Sequence, residues 1–346
     1  MSAAVDRHCP TCRAGIGAAD RFCEQCGHEL AITRAVLPDV TIDPAAVCED
    51  CGAADFDADG YCAACGGLRR PPDRSEADLG AVQLITDRGL VHARNEDAVA
   101  AALLDDTSGP TIVIAVCDGV STSEDPHLAA RAGARGGVDA CLSALAADRT
   151  TTDAVMAGLE AAFQAVRDVS TGAGHSPSCT YVAAVLRACG EGEFEITVAN
   201  VGDSRAYWLC PDEAHGTPPS QRLTIDDSWA QALVDARVMD EESAMQDPRA
   251  HALVRWLGAD SEHKAADTRV RSVRVRGPGL LLLCSDGLWN YLSDPAGIAS
   301  VATATATQAT ESARELVEYA MAAGGGDNIT VALAPVGMPW GRGGEE

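Results

Sequence analysis

The chain has 346 residues, enough for one large domain and a small one. Its residues are 47% hydrophobic but only 4% aromatic, so a core has to be built from Ala, Val, Leu and Ile. A formal net charge of −25 repels nucleic acid and anionic lipid, which argues against both as partners.

Residues 1–68 are rich in cysteine. Eight of the fourteen cysteines form four CxxC pairs here: Cys9/Cys12, Cys23/Cys26, Cys48/Cys51 and Cys62/Cys65. Each CxxC puts two thiolates on one tight turn, and two such turns supply the four soft ligands of a tetrahedral zinc ion. Gly27, Gly52 and Gly66 let the backbone fold back over the metal. No apolar run follows the start Met, so disulfides of a secreted scaffold are a poorer reading than zinc. The pattern resembles a double zinc ribbon holding two structural Zn²⁺, a module for regulation or partner binding. The stretch 69–79 is charged and Pro-rich and reads as a linker.

Residues 80–337 read as one α+β domain. Expected strands are Val82–Thr86, Ile112–Cys117, Tyr181–Leu186, Phe194–Val201, Arg205–Leu209, Val270–Val275, Leu280–Cys284 and Ile329–Leu333. Expected helices are Leu128–Ala147, Thr152–Ser170 with a Thr as N-cap, one starting at Pro295, and Ser312–Ala323. The order lacks the strict βαβα alternation of a parallel sheet. The polar segment Asp226–Gly258 is an insertion, and 338–346 reads as a disordered tail. The longest apolar runs are too short to cross a bilayer, and the expected location is the cytoplasm.

Four aspartates share one setting. Asp118, Asp203 and Asp286 each follow a strand, Asp327 precedes one, and each has glycine close by. A carboxylate just past a buried strand end is held rigidly. Several such ends in one cleft bring like charges together, which is untenable unless cations bind. Oxygen-only ligands point to hard ions such as Mg²⁺ or Mn²⁺. Two ions roughly 4 Å apart activate a bridging water and clamp a phosphate.

Seven segments in order carry a resemblance: TDRG…RNEDA (Thr86–Ala98), VCDGVS (Val116–Ser121), SCTYVAAVL (Ser178–Leu186), NVGDSRAY (Asn200–Tyr207), LTIDDSW (Leu223–Trp229), LLLLCSDGLWNYL (Leu280–Leu292) and GGGDNITVAL (Gly324–Leu333). Together they resemble the bacterial branch of the type 2C, metal-dependent (PPM-type) serine/threonine protein phosphatases. The resemblance implies a sandwich of two antiparallel β-sheets flanked by helices, with two or three Mn²⁺ or Mg²⁺ at one end. It makes Asp118 the carboxylate bridging two metals, with the Gly119 carbonyl beside it. Asp286 and Asp327 complete the first metal, Glu96 and Asp97 hold the second metal's waters, and Asp203 binds a third metal. Asn328 would orient Asp327. It further implies direct attack of a metal-bridging hydroxide on phosphoserine or phosphothreonine of proteins that a bacterial Ser/Thr kinase has phosphorylated.

Two positions depart from the family pattern. The arginine that grips the substrate phosphate four residues before the Glu is His92 here; Arg88 and Arg94 are its neighbours and alternative phosphate ligands. A protonated His is a single-point donor and lacks the guanidinium fork. The His that eukaryotic relatives place after the second Asp-Gly is Val120. His92 gives the best support to an alternative, a catalytically weak pseudophosphatase that binds phosphoproteins.

Overall fold

Most of the expected strands start within a residue of where the computed structural model places them, because β-branched runs bounded by glycine leave little choice. The structure describes residues 74–337 except 105–109, 171–175, 191, 211–217, 263 and 304–308. In the cysteine-rich head it describes 7–8, 14–16, 22, 24–27, 32–39, 47–48, 51–57 and 61–67. Cys9, Cys12, Cys23 and the tail 338–346 lie outside the described residues.

In the head, β1 (Arg7–His8) pairs with β2 (Gly15–Ile16), and β3 (Ile32–Leu37) follows. Next come the hairpin β4 (Arg74–Asp78) and β5 (Gln83–Asp87), then β6 (Ala98–Leu104) and β7 (Thr111–Cys117). Helices α1 (Pro126–Ala146) and α2 (Thr151–Asp168) lead to β8 (Ser178–Cys179), β9 (Tyr181–Gly190), β10 (Glu193–Val201), β11 (Arg205–Leu209) and β12 (Gln221–Arg222). The insertion after Asp226 carries α3 (Trp229–Asp235), α4 (Glu241–Ala244) and β13 (Leu257–Gly258). Then come β14 (Val270–Arg276), β15 (Gly279–Cys284), α5 (Asp286–Trp289), α6 (Pro295–Thr303), α7 (Ala309–Ala323) and β16 (Ile329–Val336).

Two six-stranded antiparallel sheets face each other, with strand orders β14-β10-β9-β7-β6-β3 and β12-β11-β15-β16-β5-β4. The pair α1–α2 covers the first sheet and α6–α7 the second. The strand β7 shows why TIVIAVC is an unbroken apolar run. Ile112, Ile114 and Val116 enter the core between the sheets, while Val113, Ala115 and Cys117 pack under α1 and α2. The N-cap expected for α2 is Thr150, whose side chain accepts from the Asp153 amide.

Both edges differ from the expected division of the chain. Residues 1–68 were expected to form a separate head, yet β3 pairs with β6 from Ile32↔Leu104 to Leu37↔Val99. Likewise β4, inside the expected linker, pairs with β5 from Arg74↔Asp87 to Asp78↔Gln83. An edge strand needs only one apolar face. Leu37 enters the inter-sheet core, and Ile32 and Val36 pack against the helix side. On β4, Glu76 is held by Arg314 of α7 at 2.7 Å. The strand β6 was also unexpected. Its sequence AVAAALL has helical propensity, which burial between two neighbouring strands overrides.

Candidate functional site

The strand ends deliver five carboxylates to one end of the sandwich. Asp118 follows β7 and is fixed by Thr180: its amide donates to Thr180 Oγ1 at 3.0 Å, and the Thr180 amide donates to the Asp118 carbonyl at 2.8 Å. Thr180 in turn meets Ser204 Oγ at 2.7 Å, next to Asp203 in the turn after β10. Asp286 opens α5 just past β15. Asp327 precedes β16, and the Asn328 amide donates to its Oδ1 at 2.8 Å. Asp97, immediately before β6, is only 1% exposed. The glycine beside Asp286 is a close-approach residue. A Cβ on Gly287 would stand 2.0 Å from the Asn328 carbonyl oxygen, so the ends of β15 and β16 could not meet.

This arrangement is electrostatically costly as it stands. Neither carboxylate oxygen of Asp97 has a hydrogen-bond partner, and Asp286 Oδ1 is also buried without one. Burial pushes Asp97, Asp118 and Asp203 well above the usual carboxylate range, and Asp286 above it too. Mutual repulsion adds to this: Asp118 feels Asp97, Asp286, Asp203 and Asp327. Unpartnered buried oxygens among like charges are what a divalent cation would satisfy, and an oxygen-only donor set suits Mn²⁺ or Mg²⁺. The cleft above has a volume of about 540 Å³ and is lined by Asp118, Gly119, Asp203, Asp286 and Asp327 among others.

The loop of the first motif is stapled by Asn328. Its Oδ1 accepts from the Glu96 amide at 2.7 Å, and its Nδ2 donates to the carbonyls of Arg88 at 2.8 Å and Arg94 at 3.2 Å. The side chain of Asn328 thus holds this loop, and only its backbone amide touches Asp327. Glu96 Oε2 accepts from Ser121 Oγ at 2.6 Å at the cleft rim. His92 Nε2 lies 3.2 Å from Asp327 Oδ1, which brings it to the carboxylate cluster. The two arginines are turned elsewhere: Arg88 Nη1 donates to the His92 carbonyl at 2.5 Å, and Arg94 Nη1 meets His127 Nδ1 at 3.2 Å.

Sequence reasoning missed two residues of this end. His251, in the insertion, brings a ring nitrogen within 4.8 Å of carboxylate oxygens of both Asp203 and Asp286. Trp289 on α5 stacks on the His251 ring at 5.6 Å between centroids, and its Nε1 donates to the Asp203 carbonyl at 2.9 Å. The only available signal was a Trp one helical turn after Asp286.

In the head, the thiols of Cys48, Cys51, Cys62 and Cys65 lie within 4.8 Å of one another. Cys48 faces Cys65 and Cys51 faces Cys62, each at 3.5 Å. Both knuckle glycines, Gly52 and Gly66, have left-handed φ values of 74° and 75°. The backbone amides of Cys65 and Ala64 bring the Cys62 thiol down to about 7. The Cys65 thiol rises to about 12, its contact from the Gly67 amide outweighed by the Cys51 and Cys48 thiols. Four thiols this close fit a single tetrahedral zinc ion. Of the other four, Cys26 is described and exposed.

No protein-family model matches the chain. The serine/threonine protein phosphatase PstP of Mycobacterium tuberculosis is 30% identical over 252 residues, 72% of this chain and 44% of that protein. The chain therefore spans less than half the length of this relative. The serine/threonine phosphatase stp of Listeria innocua is 30% identical over 249 residues, 72% of this chain and 92% of that one. The solved catalytic domain of PstP in complex with two manganese ions shares the fold, with a TM-score of 0.51 and 23% identity. That match covers 76% of this chain and 98% of the solved one.

Proposed function

Because the chain belongs to the bacterial PPM-type serine/threonine protein phosphatases, we propose that it hydrolyses phosphoserine and phosphothreonine in proteins, using two or three Mn²⁺ or Mg²⁺. The observation that carries this is the carboxylate cluster, with three buried oxygens of Asp97 and Asp286 lacking any protein partner. A two-manganese complex of a protein with this fold is consistent with it. When bound, such ions neutralise the cluster, polarise the phosphate and lower the pKa of water.

The chain's own residues position these parts. Asp118 sits among four other carboxylates and is the best candidate to touch two ions. Asp286 and Asp327 flank it, Asp203 serves a further ion, and Asp97 supports the cluster from below. Glu96 reaches the cleft rim through Ser121. Water is placed for direct attack on phosphorus, so no phosphoenzyme forms. His92, beside Asp327, takes the place of the missing arginine as a single-point phosphate donor; Arg88 and Arg94 are the less favoured alternatives, since Arg88 is bonded to the His92 carbonyl and Arg94 meets His127 of α1.

The cysteine set at Cys48, Cys51, Cys62 and Cys65 is proposed to hold one structural Zn²⁺, and Cys9, Cys12, Cys23 and Cys26 a second. This head serves regulation or partner binding, and the substrates are proteins phosphorylated by a Ser/Thr kinase. The reading is tested by offering the full chain, with Mn²⁺, peptides carrying phosphothreonine, phosphoserine or phosphotyrosine. Release of phosphate from the first two is expected. Release from none, alongside tight binding of the phosphopeptides, would support a pseudophosphatase instead.

A further inference from the structure

The four-cysteine site is strung between two strands whose ends have a defined place. On β3, Leu37 stands opposite Val99, two residues past Asp97. On β4, Arg74 stands opposite Asp87, the residue before Arg88. Asp87 is also opposite Ile329, two residues past Asp327, and Ala98 is opposite Cys117, the neighbour of Asp118. The chain that carries Cys48, Cys51, Cys62 and Cys65 therefore leaves one sheet and enters the other at the carboxylate end of the sandwich. Its two points of attachment bracket the loop 88–97, which holds His92 and Glu96.

The flank is defined as well. Strands β3 and β4 are edge strands of their sheets, and the opposite edges are β14 and β12. The insertion follows β12, and its residues Ala252, Leu253 and Trp256 line the cleft. The cysteine connection belongs to the other flank. Burial lowers the pKa of the Arg131 guanidinium on α1, and the carboxylate of Asp39, two residues past Leu37, opposes this. One turn earlier on α1, His127 meets Arg94 of the loop at 3.2 Å. The chain leaving β3 thus passes the part of α1 that adjoins the loop. Cys65 precedes Arg74 by nine residues, a stretch that spans about 30 Å at most. The cysteine site is tethered beside the cleft.

This connection is acidic. Between Pro38 and Asp73 the sequence has eight Asp or Glu and two Arg. Its described residues include Asp39, Asp55 and Asp57 but no Lys, Arg or His, and Asp55 and Asp57 are exposed. A Zn²⁺ ion held by four thiolates is itself a net anion. We propose that the four-cysteine site, with Asp55 and Asp57 beside it, forms an acidic wall of the cleft on the flank opposite the insertion, and that this wall selects phosphoserine or phosphothreonine flanked by Lys or Arg. This rests on the phosphatase reading of the carboxylate cluster, and it gives the head a partner: the substrate chain on either side of the phosphoresidue. The wall draws in the flanking cations while the phosphate occupies the cleft. Such attraction acts through solvent, so salt weakens it.

The test uses the full chain with Mn²⁺ and two phosphothreonine peptides of equal length, one with Arg on both sides of the phosphothreonine and one with Gln there. The quantity read is the ratio of kcat/KM for the first peptide to that for the second, at low and at high salt. Wild type is compared with Asp55→Lys, with Cys62→Ser, and with Glu160→Lys, which makes the same charge change as Asp55→Lys at an exposed position on α2. Metal analysis checks that Asp55→Lys and Glu160→Lys keep their zinc. The expected result is a wild-type preference of about 10-fold for the Arg peptide at low salt, which shrinks as salt is added. Asp55→Lys should lower the ratio about 3-fold, Cys62→Ser should lower it too, and Glu160→Lys should leave it as it is. No preference in the wild type, an equal fall in Asp55→Lys and Glu160→Lys, or an unchanged ratio in Cys62→Ser overturns the proposal. If the wild type releases phosphate from neither peptide, the phosphatase reading fails and the proposal with it.

Discussion

The carboxylate end of the sandwich and the cysteine head collect ligands by opposite means. Asp97, Asp118, Asp203, Asp286 and Asp327 stand at the ends of strands whose residues are buried on both faces, so packing fixes them whether or not an ion is present. The repulsion this stores is carried by the stability of the sandwich. Cys48, Cys51, Cys62 and Cys65 sit on two turns, and among the described residues of 47–67 the buried hydrophobic ones are Cys48 and Cys62 themselves. On the proposed reading, the fold prepares a site for the ion in the first region, whereas in the second the ion would be needed to make the fold. Removing metal should thus have different consequences in the two regions.

The largest expected effect lies at the prepared site. Asp118→Asn or Asp286→Asn should lower kcat/KM about 1,000-fold or more, since an ion supplies several kcal/mol of transition-state stabilisation. Each variant should stay folded. Turnover like the wild type would remove that residue from the site, and global unfolding would show that the fold depends on the ion there too.

Next comes the seam between the two regions. Deleting residues 1–79 removes β3 and β4 from the edges of both sheets. Loss of Leu37 and the apolar contacts of Ile32 and Val36 costs on the order of 3–4 kcal/mol. For a domain of this size that lowers the melting temperature by about 10 °C. A fragment starting at Gly80 with an unchanged melting temperature would show that the two strands are dispensable. In the head itself, Cys62→Ser should remove one zinc per chain, as read by metal analysis, with hydrolysis retained. Disulfides with no zinc in the wild-type protein would refute the zinc site.

A smaller effect sharpens the contrast by pH. Burial raises Asp97, Asp118, Asp203 and Asp286 above their unfolded value of about 3.9. A raised carboxylate favours the fold fully below the unfolded pKa, and that contribution is lost as pH rises through the folded value. Asp286→Asn removes one such group and relieves its neighbours. In metal-free protein the variant should therefore melt above the wild type, by an amount that grows as pH rises above the unfolded value of about 3.9. Mn²⁺ should close the difference by stabilising the wild type more. A constant difference across that range would mean Asp286 does not titrate with the cluster. The smallest effect concerns His92, where His92→Ala should raise KM a few-fold with little change in kcat, the sign of a lost binding contact. An unchanged KM would leave His92 as a neighbour of Asp327 only.

The sandwich strands were legible because a strand buried on both faces leaves an unbroken apolar run, as in TIVIAVC and LLLLC. The carboxylates were legible because each adjoins such a run. What was hidden depended on partners far away in sequence. The strand β3 looks like part of a cysteine head until Leu37 meets the core between the sheets, and β4 reads as a charged linker until Arg314 binds Glu76. His251 is one histidine among eight, and only the Trp289 stack brings it to Asp203 and Asp286. Asn328 was expected to orient Asp327; its backbone amide does donate to Asp327 Oδ1, while its side chain holds the loop of Arg88 and Arg94, a role set by two strands meeting.

The central claim is that the carboxylate cluster holds catalytic hard ions. It is tested most directly by titrating the EDTA-treated full chain with Mn²⁺ while following hydrolysis of p-nitrophenyl phosphate. The account predicts no hydrolysis without metal and a saturable rise as Mn²⁺ is added, which Asp118→Asn abolishes. Full hydrolysis in excess EDTA, or no hydrolysis at any Mn²⁺ concentration by a folded protein, would contradict it.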